Sequence, residues 1–323
     1  MAPVTLMHAI VVSRFGGPEV LEPAQVEVPV LASTEVLVRV AYAGINPVDI
    51  KTRQGAGVSR WLGRPPFVLG WDVAGTVEEL GYGVTRFSLG DRVFGMIRFP
   101  RQGGAYAQFA TAPSRQLAAV PPQLDLATAA AVPLVALTAW QSLMDKDLLQ
   151  PGTRVLVLGA GGSVGRAVVD LANMCGSETL AITRRAPDAA GALPATQVTI
   201  STQAPSPRDV VARFGRVDVL VDLIGDQGSL LRWLPAVAPG GWMVAIADGV
   251  NSAVAQQARL AGVSVVEPQV EPDGSSLERI SRLVSIEALH VAIADAMPLT
   301  RAAAAHRRLE AGGLNHKLVL ACR

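Results

Sequence analysis

Apolar residues follow two different rhythms along this chain, and the change between them falls near residue 125. Before it, short apolar or alternating segments at 8–12, 36–43, 73–80 and 92–96 are separated by clusters of glycine, proline and aspartate. Alternation puts successive side chains on opposite faces, so this half is predicted to be an antiparallel β domain. After it, strand candidates at 154–158, 179–183, 197–201, 217–223, 243–247 and 263–266 alternate with helical stretches such as 229–237 and 253–260. Strands alternating with helices in this way predict a parallel sheet covered on both faces. The stretch 127–137, interrupted by Thr128 and Pro133, fits a buried helix and turn. A final helix from about 303, a glycine stop and a strand at 317–321 resume the first style and can return to the first domain. The segment 186–207, rich in Ala, Pro, Ser and Thr, reads as the loosest part of the second domain.

The chemistry concentrates at one strand-to-helix turn. The strand candidate 154–158 runs into Gly159-Ala160-Gly161-Gly162-Ser163-Val164-Gly165, and 166–175 then has helical spacing of its apolar residues. A glycine-rich turn there leaves backbone N–H groups unpaired at the positive end of a helix dipole, which suits a pyrophosphate. The spacing is G-x-x-G-x-x-G rather than G-x-G-x-x-G, and a tight turn in a cofactor-free protein is the bland alternative. The next strand ends in Thr183-Arg184-Arg185. An acidic residue near here would accept from a ribose 2′-hydroxyl, whereas two guanidinium groups suit a 2′-phosphate. The cofactor read from this pattern is NADPH. Ile224 and Ala247, at the carboxyl ends of two later strands, complete the predicted cofactor set.

Bulk properties narrow the rest. The 323 residues are half hydrophobic and 17% charged, with a net charge of +1, so a folded core is expected and no basic surface for nucleic acid. Cys175 and Cys322 have no metal-type spacing. The first nine residues lack a basic start and a sufficient apolar run, and no apolar stretch reaches membrane-spanning length. The expected location is cytoplasmic, with no membrane partner.

Eight motifs in order resemble the zinc-independent quinone oxidoreductase branch of the medium-chain dehydrogenase/reductase superfamily. They are Phe15-Gly16-Gly17-Pro18-Glu19-Val20-Leu21, Ala43-Gly44-Ile45-Asn46-Pro47-Val48-Asp49, Leu69-Gly70-Trp71-Asp72-Val73-Ala74-Gly75, and Leu89-Gly90-Asp91-Arg92-Val93. The others are Gly103-Gly104-Ala105-Tyr106-Ala107-Gln108, Pro133-Leu134-Val135-Ala136-Leu137-Thr138-Ala139, the glycine turn, and Lys317-Leu318-Val319-Leu320. The resemblance implies an α/β protein: a GroES-like β domain formed from both chain ends, with an inserted Rossmann domain whose parallel sheet is doubly wound. The expected boundaries are 1–124, 125–267 and 268–323, with the active site in the cleft between the domains. Such proteins bind NADPH, reduce quinones or the C=C bond of enones, and often form homodimers.

The comparison also exposes departures. Zinc-dependent relatives place Cys, His and an acidic residue where this chain has Asn46, Trp71 and Asp72, so no metal site is expected. Without a Lewis acid, hydrogen-bond donors must stabilise charge developing on a conjugated carbonyl oxygen. Asn46, Asp49, Lys51 and Trp71 are the candidate catalytic residues, with Arg53 and Tyr106 nearby in the motifs and Thr138 on the nicotinamide side. Asn46 and Asp49 could equally be capping an Asn-Pro-x-Asp turn, and Trp71 is either a flat wall for a planar substrate or buried packing. Lys51 stands where several relatives have a tyrosine, and a solvated lysine is the alternative. Asn315 and His316 replace the Arg-Gly that usually precedes the lysine at 317. His306, beside Arg307 and Arg308, reads as part of a solvated helix face. The competing functions are a pathway-specific enoyl or ketone reductase and a non-catalytic NADPH-binding protein.

Overall fold

The computed structural model describes residues 5–184, 195–200, 206–225, 227–247 and 249–322. They divide into two compact units, Met1–Leu137 with Glu271–Ile286 and Val291–Arg323, and Thr138–Val270 with Glu287–His290.

The first unit opens with β1 (Leu6–Val12), β2 (Leu21–Glu27) and β3 (Glu35–Gly44). Helices α1 (Pro47–Arg53) and α2 (Ser59–Leu62) follow, then β4 (Phe67–Val68), β5 (Asp72–Leu80), β6 (Arg92–Met96), β7 (Phe109–Pro113), β8 (Leu117–Ala119) and α3 (Leu126–Ala131). Strand β3 is buried almost throughout because it pairs with both β5 and β7. Its exposed residue, Arg39, answers with a forked bond to Glu78.

Helix α4 (Pro133–Leu143) leads across the boundary into β9 (Arg154–Leu158), α5 (Ser163–Met174), β10 (Glu178–Thr183) and β11 (Gln197–Ile200). Then come α6 (Pro207–Phe214), β12 (Val217–Asp222), α7 (Gln227–Trp233), β13 (Val237–Ala245), α8 (Ser252–Leu260) and β14 (Ser264–Val266). These strands form a parallel six-stranded sheet in the order β11-β10-β9-β12-β13-β14. That order reverses at β9, which places a topological switch point beside the glycine turn. The helix expected at 229–237 stops at Trp233, and a 3₁₀ turn containing Pro235 leads straight into β13. Proline has no N–H to continue the ladder.

The chain returns to the first unit with α9 (Gly274–Ser285), β15 (Ile293–Pro298), α10 (Ala302–Glu310) and β16 (Lys317–Ala321). Strand β16 pairs antiparallel with β3, as the C-terminal pattern suggested. The α/β class, the GroES-like unit and the Rossmann-like sheet are all present. Residues 125–137, however, group with the first unit rather than with the nucleotide unit. The reason is packing: a Cβ at Gly44 would lie 2.4 Å from the Ala130 carbonyl, and the Leu134 amide donates to Asp72 Oδ1 at 3.0 Å. Helices α1 and α9 and strands β2 and β15 were not among the elements expected from sequence. Arg185 and most of the segment 186–207 lie outside the described residues. No helix among the described residues is long and apolar enough to cross a membrane.

Close approach at Gly44 gives a direct test. Gly44→Ala would drive a methyl into the Ala130 backbone and towards Asp72 Cβ, 2.9 Å away. The expected cost is about 1–3 kcal/mol, read as a lower urea midpoint. An unchanged midpoint would mean that α3 does not seat on β3 this tightly.

Candidate functional site

The second unit carries the glycine turn at 159–165 that the sequence suggested as a dinucleotide cradle. Gly159 has φ +85, and its amide and that of Ala160 both donate to Ile182 O at 3.0 Å, which anchors the turn to β10. A Cβ at Gly165 would meet Gly159 O at 2.5 Å and Ala160 Cα at 2.7 Å, so only glycine lets α5 start this close to the strand. A Cβ at Gly161 would strike Thr183 Oγ1 at 2.5 Å, which puts the end of β10 directly against the turn. Gly162 is the N-cap of α5, and the first helical bond runs from Arg166 N–H to Gly162 O at 2.9 Å. The amides of Ser163, Val164 and Gly165 therefore precede the ladder and face out of the helix terminus. These residues fit a dinucleotide pyrophosphate.

Around the cradle, Arg184 is exposed immediately after β10. Ile224 is 52% exposed, and its amide donates to Asp222 Oδ1 at 2.9 Å. Ala247 lies just past β13, and Thr138 is buried in α4. Arg185, the second predicted cofactor arginine, lies outside the described residues.

The predicted catalytic residues all belong to the first unit, and three of the four are fully buried: Asn46, Asp49 and Trp71. Asn46 caps α1, and its backbone N–H donates to Asp49 Oδ2 at 2.7 Å, a reciprocal arrangement at a helix start. Asn46 Nδ2 donates to Asp72 Oδ2 at 2.9 Å, and Asn46 Oδ1 accepts from Lys317 Nζ at 2.5 Å. The same ammonium donates to Ile45 O at 2.6 Å. Trp71 donates its indole N–H to Arg101 O at 2.7 Å and meets Phe99 edge-on. Lys51 alone of the four is exposed, on the side of α1 opposite the buried Asp49, Thr52 and Arg53.

A zinc ion does not fit this donor set. The Trp71 indole can only donate, both Asn46 amide atoms and both Asp72 oxygens are committed to protein partners, and a buried ammonium adds positive charge. Among the described residues no cluster of three or more His, Cys, Asp or Glu is arranged to hold a metal.

A second run of partners joins Tyr106 to Arg53. Tyr106 and His306 are fully buried, with Tyr106 Oη 3.1 Å from His306 Nε2. His306 Nδ1 lies 3.3 Å from Arg53 Nη1. Arg53, also fully buried, is paired through Nη2 with Glu310 and donates through Nε to Gly16 O at 3.1 Å. The solvated-face reading of His306 is therefore wrong. Ala302, Ala305 and His306 form the buried face of α10, at the i, i+3, i+4 spacing of an inward stripe. That spacing was visible in sequence but was outweighed by the adjacent arginines.

Burial sets the electrostatics. Desolvation pushes the Asp49 carboxyl up to about 7, against the opposing pull of the Asn46 N–H, with Asp72 adding to the rise and Lys317 and Tyr106 opposing it. Asp72 is raised to about 6, again chiefly by burial and against Lys317, Asn46 and the Leu134 N–H. Lys317 is lowered by desolvation, with Asp72 and Asp49 opposing. His306 is lowered to about 3 by burial and by Arg53. The raised Asp49 value gives a sign. Its folded value lies above the ordinary 3.8, so its contribution to stability is complete below 3.8 and is lost as pH rises through about 7. The thermal midpoint of the native protein should fall relative to Asp49→Asn between pH 5 and pH 8. A parallel pair of melting curves across that range would contradict the raised value.

Known proteins agree with this architecture. Residues 32–122 match the alcohol dehydrogenase GroES-like domain family, and 193–320 match the zinc-binding dehydrogenase family. A quinone oxidoreductase of Lama guanicoe is 39% identical over 171 residues, covering 53% of this chain and 50% of that protein. The matched region thus spans about half the length of several curated relatives. The quinone oxidoreductase of Pongo abelii aligns over 98% of both chains at 28% identity. The solved quinone oxidoreductase of Coxiella burnetii superposes with a TM-score of 0.91 at 28% identity, covering 99% of this chain and 100% of that one. With motif order, sheet topology and these likenesses in agreement, the chain belongs to the quinone oxidoreductase branch of the medium-chain dehydrogenase/reductase superfamily.

Proposed function

We propose that this chain is an NADPH-dependent reductase that delivers hydride, without a metal, to a quinone or to the C=C bond of an α,β-unsaturated carbonyl. The observation that carries the reading is the closed Lys317–Asn46–Asp72 cluster, which commits the side chains at the metal-ligand positions to one another. An alcohol or simple ketone needs its oxygen polarised by a strong Lewis acid. A quinone or enone spreads the developing charge by conjugation, and hydrogen-bond donors suffice.

The bound cofactor supplies two electrons and one hydrogen as hydride. The protein's part is to hold it and to stabilise what forms. The amides of Ser163, Val164 and Gly165 take the pyrophosphate at the start of α5, and Arg184 takes the 2′-phosphate beside it. Thr138 lies on the nicotinamide side. Lys51 is the exposed cation of the predicted set, and its ammonium stabilises the enolate or hydroquinone oxygen. The buried Asn46 and Asp49 hold the helix that carries it. Solvent supplies the final proton, so one hydride and one proton saturate the substrate.

Oxidation of NADPH against a benzoquinone, a naphthoquinone, an alkenal, a cyclic enone, an aldehyde and a simple ketone tests the reading. Turnover is expected with the conjugated substrates alone, at rates unaffected by a chelator. Lys51→Met should lower kcat/KM by about 100-fold, in the range for losing one charge-stabilising donor. Turnover of the simple ketone, or loss of activity on chelation, would overturn it.

The cofactor assignment has its own test. Arg184→Asp should weaken NADPH binding by roughly 10–100-fold while leaving NADH little changed, as expected for one charged hydrogen bond to phosphate. Equal weakening of both would remove the basis for a 2′-phosphate contact.

A further inference from the structure

Hydrogen-bond chemistry assigns a direction to the buried run from Arg53 to Tyr106. A guanidinium has donors and no acceptor, so His306 Nδ1, 3.3 Å from Arg53 Nη1, is the acceptor in that contact. A neutral imidazole with a bare Nδ1 carries its proton on Nε2. Nε2 lies 3.1 Å from Tyr106 Oη, so the ring donates there, and the tyrosine's own proton must turn elsewhere. Asp49 Oδ1 is a buried carboxylate oxygen with no partner at hydrogen-bond distance. The tyrosine ring cannot swing away to another partner. A Cβ at Gly70 would lie 2.4 Å from Tyr106 Cδ1, so the backbone there holds the ring face.

The run starts on α1, at Arg53. Asp49 and Arg53 are four residues apart on α1, both fully buried, and Lys51 lies between them on the exposed side. Its other members come from far away in sequence: Tyr106 from the segment before β7 and His306 from α10. Glu310, also on α10, completes the grip on Arg53 and accepts from Gln54 Nε2 at 3.0 Å. The Arg53 guanidinium, held by His306, by Glu310 and by Gly16 O, fixes the last turn of α1 against α10.

We infer that Arg53, His306 and Tyr106 form a one-way hydrogen-bond relay that ties the end of α1 to α10 and to the segment before β7 and so sets where Lys51 presents its ammonium, which makes Tyr106 and His306 positioning residues. The role in turnover rests on the assignment of Lys51 given above. The relay and its hold on α1 do not.

Three measurements on the full chain test it. The first is a nitrogen-15 spectrum of the histidine side chains, with His306 identified by its loss in His306→Gln. A bare Nδ1 and a protonated Nε2 are expected throughout pH 5 to 8. A proton on Nδ1, or an imidazolium in that range, would overturn the relay. The second is hydrogen exchange of peptides covering 47–54. Tyr106→Phe and His306→Leu should speed exchange there by more than about tenfold and leave α5 unchanged. His306→Gln should restore protection, because its amide can accept from Arg53 and donate to Tyr106. Unchanged exchange in the first two variants would sink the hold on α1.

The third is steady-state kinetics with a naphthoquinone. In Tyr106→Phe and His306→Leu, kcat should fall by about 10–100-fold, the cost of a small misplacement, with NADPH affinity unaltered and with recovery in His306→Gln. Full kcat in both broken variants would remove the positioning role. Absence of turnover in the native protein would instead fail the proposed reaction, leaving the spectrum and the exchange data to decide the relay.

Discussion

The first unit is organised around one buried ammonium. Lys317 is 5% exposed at the start of the C-terminal strand β16, and its charge cannot be left unmatched in a low-dielectric interior. Its Nζ contacts are the Ile45 carbonyl and the Asn46 amide oxygen, while the compensating charges, Asp72 and Asp49, stand one hydrogen bond further out. Burial raises both carboxyls against the pull of Lys317, and at Asp49 the charge of Asp72 adds to the rise. Removing one member of such a cluster leaves another buried without a partner, which typically costs about 3–5 kcal/mol. The cluster therefore joins β16, β3, β5 and the start of α1 in one dependency, and the C-terminal strand cannot be exchanged for another apolar strand.

The two units build their sites from different materials. In the second unit the proposed binding groups are backbone amides, and the side-chain requirement at the turn is mostly negative: no Cβ at 159, 161 or 165. In the first unit the working groups are side chains drawn from distant segments, and each is useful only because its partners are in place. A backbone site tolerates much substitution around its glycines. A side-chain network does not, because a polar group left over inside the core costs more than the bond it lost was worth.

That contrast explains what could be read from sequence. The strand, glycine turn and helix at 154–175 are local, and period and glycine spacing give both the fold and the cradle there. The partners of the first unit are not local. Lys317 and Asn46 are 271 residues apart, Arg53 and His306 253, and Tyr106 and His306 200. No window along the chain contains such a pair, so Asn46 and Asp49 could be recognised as a capped turn but not as parts of a network. Trp71 is settled by burial, since its indole is sealed against Arg101 O and Phe99 rather than offered as a wall.

His306 marks where two sequence signals conflict. Its neighbours Arg307 and Arg308 favour a solvated face, whereas the alanines at 302 and 305 share its side of the helix. Small residues on a helix face permit close approach, and close approach is what a histidine needs to reach a buried tyrosine and arginine together. The alanine stripe was the better guide, because it reports on what the helix packs against, while a charged neighbour one position away points in a different direction by about 100°. The same reasoning applies to α1. Asp49, Thr52 and Arg53 form its inward face, so its charged residues include an acid and a base committed to the core, and Lys51 is the cation left for the outside.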